Sequence, residues 1–466
     1  MRIPESFELS RFGLGLLVGT CLLAGGGAVA GPFSSTAIRG DKVTVMAGKP
    51  DSTAIFTCEL APFDESQGLW CYGPDAIRKA YGVYQLINDG IDGKGETIVL
   101  IEAFGSPTAF ADLQEFDAVY GLPDPPSFKI IHMPGSTPFD VTNGNQVGWA
   151  EETSLDVQWS HVIAPAAHIV VVAAVDNSDA NLLAAQNYAI DHKLGHIMSE
   201  SYGQSELALL QEGKTGKQYI NDAEASYKRA RQAHISVLVS AGDDGASGVD
   251  LAGNLQPFPV PDYPASSPQV TTVGGTNLFF GTATNADPNG TYQGEIVWND
   301  GFGAGGGGVS IRFNEPNFQQ DNLGPKKQKE LMGHRGYPDI AYNAGVVGGV
   351  IVFLGFLPPA DVGFYIFGGT SAGAPQWAGM AALGNQLNHG QPLGFLNSRI
   401  YSLHSLGILQ GLTHDVTIGN NSDNGVTGFD ATKGWDLTTG FGTPNFGELL
   451  SLLCKYGKDD DGSSDP

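Results

Sequence analysis

Three segments carry residues that could together break an acyl bond. The first is Phe367–Met380, FGGTSAGAPQWAGM, in which glycines and a threonine lead through Ser371 into small, helix-tolerant residues. Pro375 stands where a first helical turn accepts proline, so the Ser371 hydroxyl is expected at a helix N-terminus, whose partial positive charge favours developing negative charge. The second is Glu152–Ile163, ETSLDVQWSHVI, closed by Ala164-Pro165. At about 100° per residue Leu155, Trp159 and Ile163 form one apolar stripe. Glu152 and Asp156, four apart, adjoin on that same stripe, while Thr153, Ser154, Gln158 and His161 take other faces. Carboxylates turned toward a core repel each other, so one pKa rises and the pair holds a shared proton. Such a pair is a general base suited to acid. The third is Ile235–Ser247, ISVLVSAGDDGAS, an apolar run ending in a glycine-bounded turn with Asp243 and Asp244. The C-terminal end of a strand is where an α/β sheet binds ligands. Each segment alone also reads blandly, as a turn-to-helix junction, a solvated acidic face or an Asp bonding its own turn.

These residues need a scaffold, and the intervening text supplies one. GKGETIVLIEAFGSP predicts a strand ending near Glu102, followed by a helix over Ala109–Val119. Strands are predicted at Ile169–Val175, Ile197–Tyr202 and Ile235–Ser240, with helices at Asn181–Asp191 and Tyr219–Gln232 between them. That alternation predicts an α/β fold, a mostly parallel sheet with helices on both faces. Val346–Leu357 is a short apolar stretch broken by glycines and is expected to form buried strands near Ser371. Gly301–Gly308, GFGAGGGG, is followed by the strand-like VSIRF rather than by a helix with lysine and hydroxyl, so a phosphate site is not expected. Close backbone approach to a ligand, or a flexible loop, is expected there instead.

The 466 residues are 41% hydrophobic and 16% charged, a globular composition. A formal net charge of −25 argues against nucleic acid or an anionic membrane as partner and suits a protein working in acid. Arg2 and Arg11, the apolar run Phe12–Leu23 and Ala28-Val29-Ala30 read as a secretory signal over residues 1–30, too short for a comfortable membrane span. Residues 31–68 read as a short, loosely structured leader without a recognisable folded prodomain, 69–454 as one catalytic domain, and 455–466 as an acidic flexible tail. Cys21 falls in the signal. Of the remaining Cys58, Cys71 and Cys454, the first two are close enough for a small disulfide loop, although spacing alone does not decide the pairing.

Taken in order, ETSLD followed by IAPAAHI, SAGDDG and GGTSAGAP resemble the sedolisin family, the serine-carboxyl peptidases. YPASSPQVTTVGGT (Tyr263–Thr276), GGGVSIRF (Gly306–Phe313) and YPDIAYNA (Tyr337–Ala344) extend the resemblance over Leu69–Leu453. It implies a three-layer, subtilisin-like fold and an acid-active, secreted, monomeric endopeptidase acting on polypeptides through an acyl-enzyme. It implies Ser371 as nucleophile, Glu152 as general base and acid, Asp156 as its orienting partner and Asp243 as a protonated oxyanion-hole donor. Glu102 matches a family glutamate that extends the hydrogen-bond chain, with Tyr202 standing where a tryptophan is usual. HDVTIGNN (His414–Asn421) and ATKGWDLTTGFGTPN (Ala431–Asn445) are similar to the segments that bind one structural calcium. The implied ligands are the carboxylates of Asp415 and Asp436 and the carbonyls of Val416, Thr432 and Gly434, with Thr432 in place of a usual glycine. Two rival readings are a subtilisin-type peptidase and an inactive secreted binding protein on the same fold. The first lacks a His-Gly motif before Ser371, since His389-Gly390 follows it. The second is disfavoured by competent residues at all four chemical positions.

Overall fold

The strand Thr97–Ala103 (TIVLIEA) shows how the layers arise. Ile98 and Leu100 pack into one core with Leu155, Trp159 and Trp377, while Val99 and Ile101 pack into another with Leu182, Tyr227 and Val239. A strand covered on both faces gains nothing from polar alternation and reads as a continuous apolar run. The same two-residue period sends Glu102 toward the first core.

The computed structural model describes residues 34–35, 37–46, 55–60, 69–281 and 290–456. The expected signal 1–30 and residues 457–466 of the expected tail lie outside them, whereas Lys455 and Tyr456 finish the helix Phe446–Tyr456. The central sheet runs in the order Thr291–Val297, Thr271–Gly281, Ser236–Ser240, Ile197–Glu200, Thr97–Ala103, His168–Ala174 and Phe128–His132, and Ile340–Asn343 also pairs with Thr271–Gly281. All of its pairings are parallel except that of Thr291–Val297 with Thr271–Gly281. The helices Gly144–Ile163 and Gly373–Leu387 cover one face, and Asp179–Asp191 and Lys214–Gln232 cover the other. This is the expected three-layer α/β fold. Among the described residues, no helix is long and apolar enough to cross a membrane.

The helix Gly144–Ile163 begins where the Asn143 side chain accepts from the amides of Asn145 (3.1 Å) and Gln146 (3.3 Å). It ends before Ala164-Pro165, where proline forbids the preceding residue a helical conformation. It is buried on nearly every side, so Thr153, Ser154, Gln158 and His161 on its other faces are buried as well. Trp159 Nε1 donates to the carbonyl of Ile351 (2.8 Å), and the Gln158 amide exchanges two bonds with the Phe353 backbone (both 2.9 Å). These bonds clamp the helix to the strand Gly349–Leu354, which pairs antiparallel with Gly363–Gly368, the strand leading to Ser371. Truncating a buried tryptophan such as Trp159 to alanine costs about 3–5 kcal/mol and would loosen that clamp.

Two expectations need correction. The leader is not loose where it is described: Ile38–Val43 forms the edge of a four-stranded sheet beside Gly363–Gly368, and Ser34–Ser35 pairs with Tyr202–Ser205. IRGDKV shows no apolar alternation because an added edge strand is held through its main chain. The glycine loop makes its close approach at Gly306 to backbone. A Cβ on Gly306 would lie 2.1 Å from the Ala241 carbonyl oxygen, so the backbone there packs against the Asp243 turn. Ala304 N donates to the Asp243 carbonyl (2.9 Å) and Gly306 N to that of Gly242 (2.7 Å). Cys58 and Cys71 form the disulfide, leaving Cys454 as a free thiol.

Candidate active site

The backbone turns sharply between the strand Gly363–Gly368 and the helix Gly373–Leu387. Gly369 takes φ 103°, a conformation that L side chains rarely adopt, and Thr370–Ala372 forms one 3-10 turn carrying Ser371. Ser371 therefore stands at the entry to the long helix, as its sequence context predicts. Pro375 lies in the first turn of that helix.

Glu152 and Asp156 project from Gly144–Ile163 beneath this turn, and both are wholly buried. Burial, and then the Asp156 carboxyl, push the Glu152 pKa well up; hydrogen bonds from Ser371 and from Ala37 N–H pull in the other direction. The Ala37 amide donates to Glu152 Oε2 at 2.8 Å. Asp156 is also raised by burial, to about 8, while the neighbouring Ser201, Glu102 and Glu152 pull in the other direction. Ser201 Oγ reaches both of its oxygens, at 3.1 and 2.9 Å. Glu102 is raised by burial and then by the charges of Asp156 and Glu152. Glu152 Oε1 and both Glu102 oxygens are buried with no hydrogen-bond partner among the described residues, and buried carboxyls that raise one another's pKa hold protons among them, so Glu152, Asp156 and Glu102 form one proton-holding cluster beside Ser371.

Ser201 is the member of this cluster that sequence reasoning misses. It follows the strand Ile197–Glu200, whose parallel neighbour is Thr97–Ala103, so Ser201 and Glu102 emerge at the same sheet edge. Tyr202 does not take up the role suggested for the family tryptophan. Its ring packs on Trp149 (centroids 6.0 Å apart), and its hydroxyl is engaged with Glu200. His161, on the same helix, faces elsewhere: Nε2 lies 2.8 Å from the Pro123 carbonyl oxygen and 3.4 Å from Asp117 Oδ2.

Asp243 lies on the other side of the nucleophile turn. Its Oδ1 accepts from Thr370 N–H (2.8 Å) and from the Thr370 hydroxyl (2.7 Å), and Gly242 N donates to that hydroxyl oxygen (3.1 Å). Asp243 Oδ2 is buried with no hydrogen-bond partner among the described residues. Burial raises this carboxyl well above its ordinary value, and nearby Asp244 and Asp262 raise it further against the two Thr370 bonds. A neutral acid is the consequence. Its Oδ2 can carry a proton and present it to an oxygen that a substrate brings, which accounts for an otherwise costly orphan.

The C-terminal segments come together through one loop. Gly434 N donates to both oxygens of Asp415 (3.1 and 3.0 Å), and Thr432 N donates to Asp436 Oδ2 (2.7 Å). Asp436 Oδ1 is taken up by the amides of Thr438 (3.0 Å) and Thr439 (2.9 Å). Among the described residues the carbonyls of Val416, Thr432 and Gly434 accept no backbone hydrogen bond, and no three His, Cys, Asp or Glu side chains cluster as a metal site. Two carboxylates and three carbonyls are oxygen donors of the kind a hard cation takes.

Residues 143–427 match the family described as the subtilase family. The chain is 32% identical over 402 residues to kumamolisin of Bacillus sp. (strain MN-32), covering 85% of this chain and 66% of that protein. It is 33% identical over 284 residues to tripeptidyl-peptidase 1 of Rattus norvegicus, covering 56% of this chain and 44% of that one. The chain thus spans only part of the length of these relatives. Pseudomonas sedolisin, a serine-carboxyl proteinase solved in complex with pseudo-iodotyrostatin, superposes with a TM-score of 0.67 at 24% identity, over 84% of this chain and 100% of that one. The chain belongs to the subtilase family, in its sedolisin branch.

Proposed function

We propose that this protein is a secreted, acid-active serine-carboxyl endopeptidase that hydrolyses polypeptides through an acyl-enzyme. The observation that supports this most is the pair of buried acids flanking Ser371: Glu152, hydrogen-bonded to it, and Asp243, held by the adjacent Thr370 with one oxygen uncommitted. Ser371 Oγ attacks the substrate carbonyl while Glu152 takes its proton. Asp156 orients Glu152 and shares that proton with it, Ser201 holds Asp156, and Glu102 completes the cluster. The oxyanion receives hydrogen bonds from protonated Asp243 and the Ser371 backbone N–H, a contribution of about 10²–10³ in rate per donor. Glu152 then returns the proton to the leaving amine, and water releases the acyl group by the reverse route. The carboxylate cluster replaces the His-Asp pair of other serine peptidases.

Secretion is supported by the apolar N-terminal run and by the Cys58–Cys71 disulfide, which suits an oxidising compartment. Asp415 and Asp436, with the carbonyls of Val416, Thr432 and Gly434, would hold one calcium ion. Bound there, the ion would cross-link two C-terminal loops and do no chemistry.

The test is hydrolysis of an unfolded protein substrate by the wild type and by Ser371→Ala. The variant should lose activity while keeping the wild-type circular dichroism and melting curve. Substantial turnover by the pure, folded variant would remove Ser371 from the mechanism.

A further inference from the structure

The amino ends of the parallel strands carry a second concavity. Gln269, two residues before Thr271–Gly281, and residues 312–316, at the end of the strand Gly308–Asn314, line a pocket of about 160 Å³. Ser201 and Asp243 follow the carboxyl ends of strands in the same sheet, so this pocket lies at the opposite end of the strands from the candidate active site. Pro268, Phe313 and Pro316 give it apolar walls. Its volume suits a group the size of one side chain, since pockets for whole small molecules run to about 300–1,000 Å³.

Glu315 supplies the acid of the lining and is only 5% exposed. Its Oε1 is buried with no hydrogen-bond partner among the described residues. The main chain holds the residue in place: its N–H donates to the Gly333 carbonyl (2.8 Å), and its own carbonyl accepts from Gln320 Nε2 (2.6 Å). Arg312 at the rim and Arg231 behind Gln269 are both committed elsewhere. Arg312 Nη2 donates to Asn221 Oδ1 (3.2 Å), and its guanidinium lies 5.6 Å from the centre of the Phe313 ring. Arg231 Nη1 donates to Gln269 Oε1 (2.8 Å), and its guanidinium lies 4.0 Å from the centre of the Phe395 ring. Among the described residues no charge or hydrogen bond acts on the Glu315 carboxyl, which burial alone raises. A carboxyl kept from both water and a counter-charge is costly unless a ligand supplies the charge.

We infer that this pocket is a binding site for an alkylammonium group, the head of a lysine side chain or of a free amine. Glu315 is its acceptor, and Phe313 with the two prolines packs against its stem. The compact ammonium, rather than the wide fork of a guanidinium, suits so small a cavity. The inference is independent of the proposed peptidase activity, and so is its test.

The experiment is a ligand-observed NMR titration of the full chain at pH 7 with n-butylammonium, with Nα-acetyl-lysine amide and with n-butanol as the uncharged control. Wild type should bind butylammonium in the millimolar range, as suits so small a ligand, and n-butanol about tenfold more weakly or not at all. Glu315→Gln, which keeps the shape and removes the charge, should weaken butylammonium about tenfold with the melting curve retained. The active-site acids are a second attraction for an amine, so Glu152→Gln is run beside it and should bind as the wild type does. Binding of acetyl-lysine amide as well assigns the pocket to lysine side chains, and binding of butylammonium alone assigns it to free amines. A crystal soaked in butylammonium gives a reading that needs no variant: density beside Glu315 supports the site, and density only elsewhere overturns it. No saturable binding, equal affinity for n-butanol, or an affinity that Glu315→Gln leaves unchanged also overturns the inference.

Discussion

Thr370 gives both of its donors to a single oxygen of Asp243, the amide at 2.8 Å and the hydroxyl at 2.7 Å, so the other oxygen is aimed and empty-handed. This predicts a difference between two substitutions. Asp243→Ala removes the donor and should lower kcat by about 10²–10³. Asp243→Asn keeps an acceptor for Thr370 and supplies an N–H that needs no protonation, so it should retain more activity than alanine and keep it to higher pH. Equal losses in the two variants, measured as kcat on one peptide, would take Asp243 out of the oxyanion hole.

Glu152→Gln should be nearly as damaging as loss of the nucleophile, because an amide cannot accept the serine proton. Single-turnover kinetics on the folded variant would show it. A loss of only twofold would point to a different base.

Ser201→Ala leaves Asp156 without the hydroxyl that holds both of its oxygens and, with it, the largest influence opposing its burial. A hydrogen bond to a charged group contributes roughly 1.5–3 kcal/mol, so kcat should fall about tenfold or more with KM nearly unchanged. Because Asp156 would then hold its proton more tightly, the pH profile should move as well. An unaltered profile would make Ser201 a structural residue only.

The two cores were legible because strands buried on both faces must be apolar throughout, as in TIVLIEA. The carboxylate pair was legible because helical phase puts Glu152 and Asp156 on one stripe with Leu155 and Trp159. Ser201 was not, since its role depends on which strand lies beside Ile197–Glu200, and strand order is a long-range property. The leader strand was hidden for a related reason: main-chain pairing leaves no mark on side-chain pattern. The glycines of Gly301–Gly308 looked like a ligand loop because close approach to another backbone and close approach to a ligand make the same demand on a residue.

Many buried acids make stability fall with rising pH. Burial raises Glu200, Glu206 and Glu224 to about 7 and Asp262 to about 8, against about 3.9 to 4.3 when unfolded. Between those limits the folded chain binds more protons than the unfolded one, so each unit rise in pH disfavours folding. Asp140 and Asp250, lowered by local hydrogen bonds at the surface, oppose this only weakly. Tm should be highest near pH 4 and fall steadily to pH 8. Calorimetry showing the reverse slope would mean that these carboxyls are not buried in the native protein.

Chelation should lower Tm at fixed pH, since an ion bound only by the folded state stabilises that state. Asp436→Ala should abolish the chelator effect. Metal analysis without calcium, together with a melting curve unmoved by chelator, would remove the ion from Asp415 and Asp436.

The central claim is that carboxyl groups, with no histidine, run the reaction, and kcat as a function of pH tests it most directly. Asp243 must be protonated to donate, and Glu152, Asp156 and Glu102 must keep a proton among them. Burial raises all four pKa values, so the competent forms persist above the ordinary carboxylate range and are lost as pH rises through the folded values. Measured on one peptide in protein shown to stay folded throughout, kcat should peak in acid, roughly between pH 3 and 6, and decline toward neutrality. A profile that instead rises through pH 7 and holds to pH 9 would contradict the protonated Asp243 and the carboxylate cluster alike.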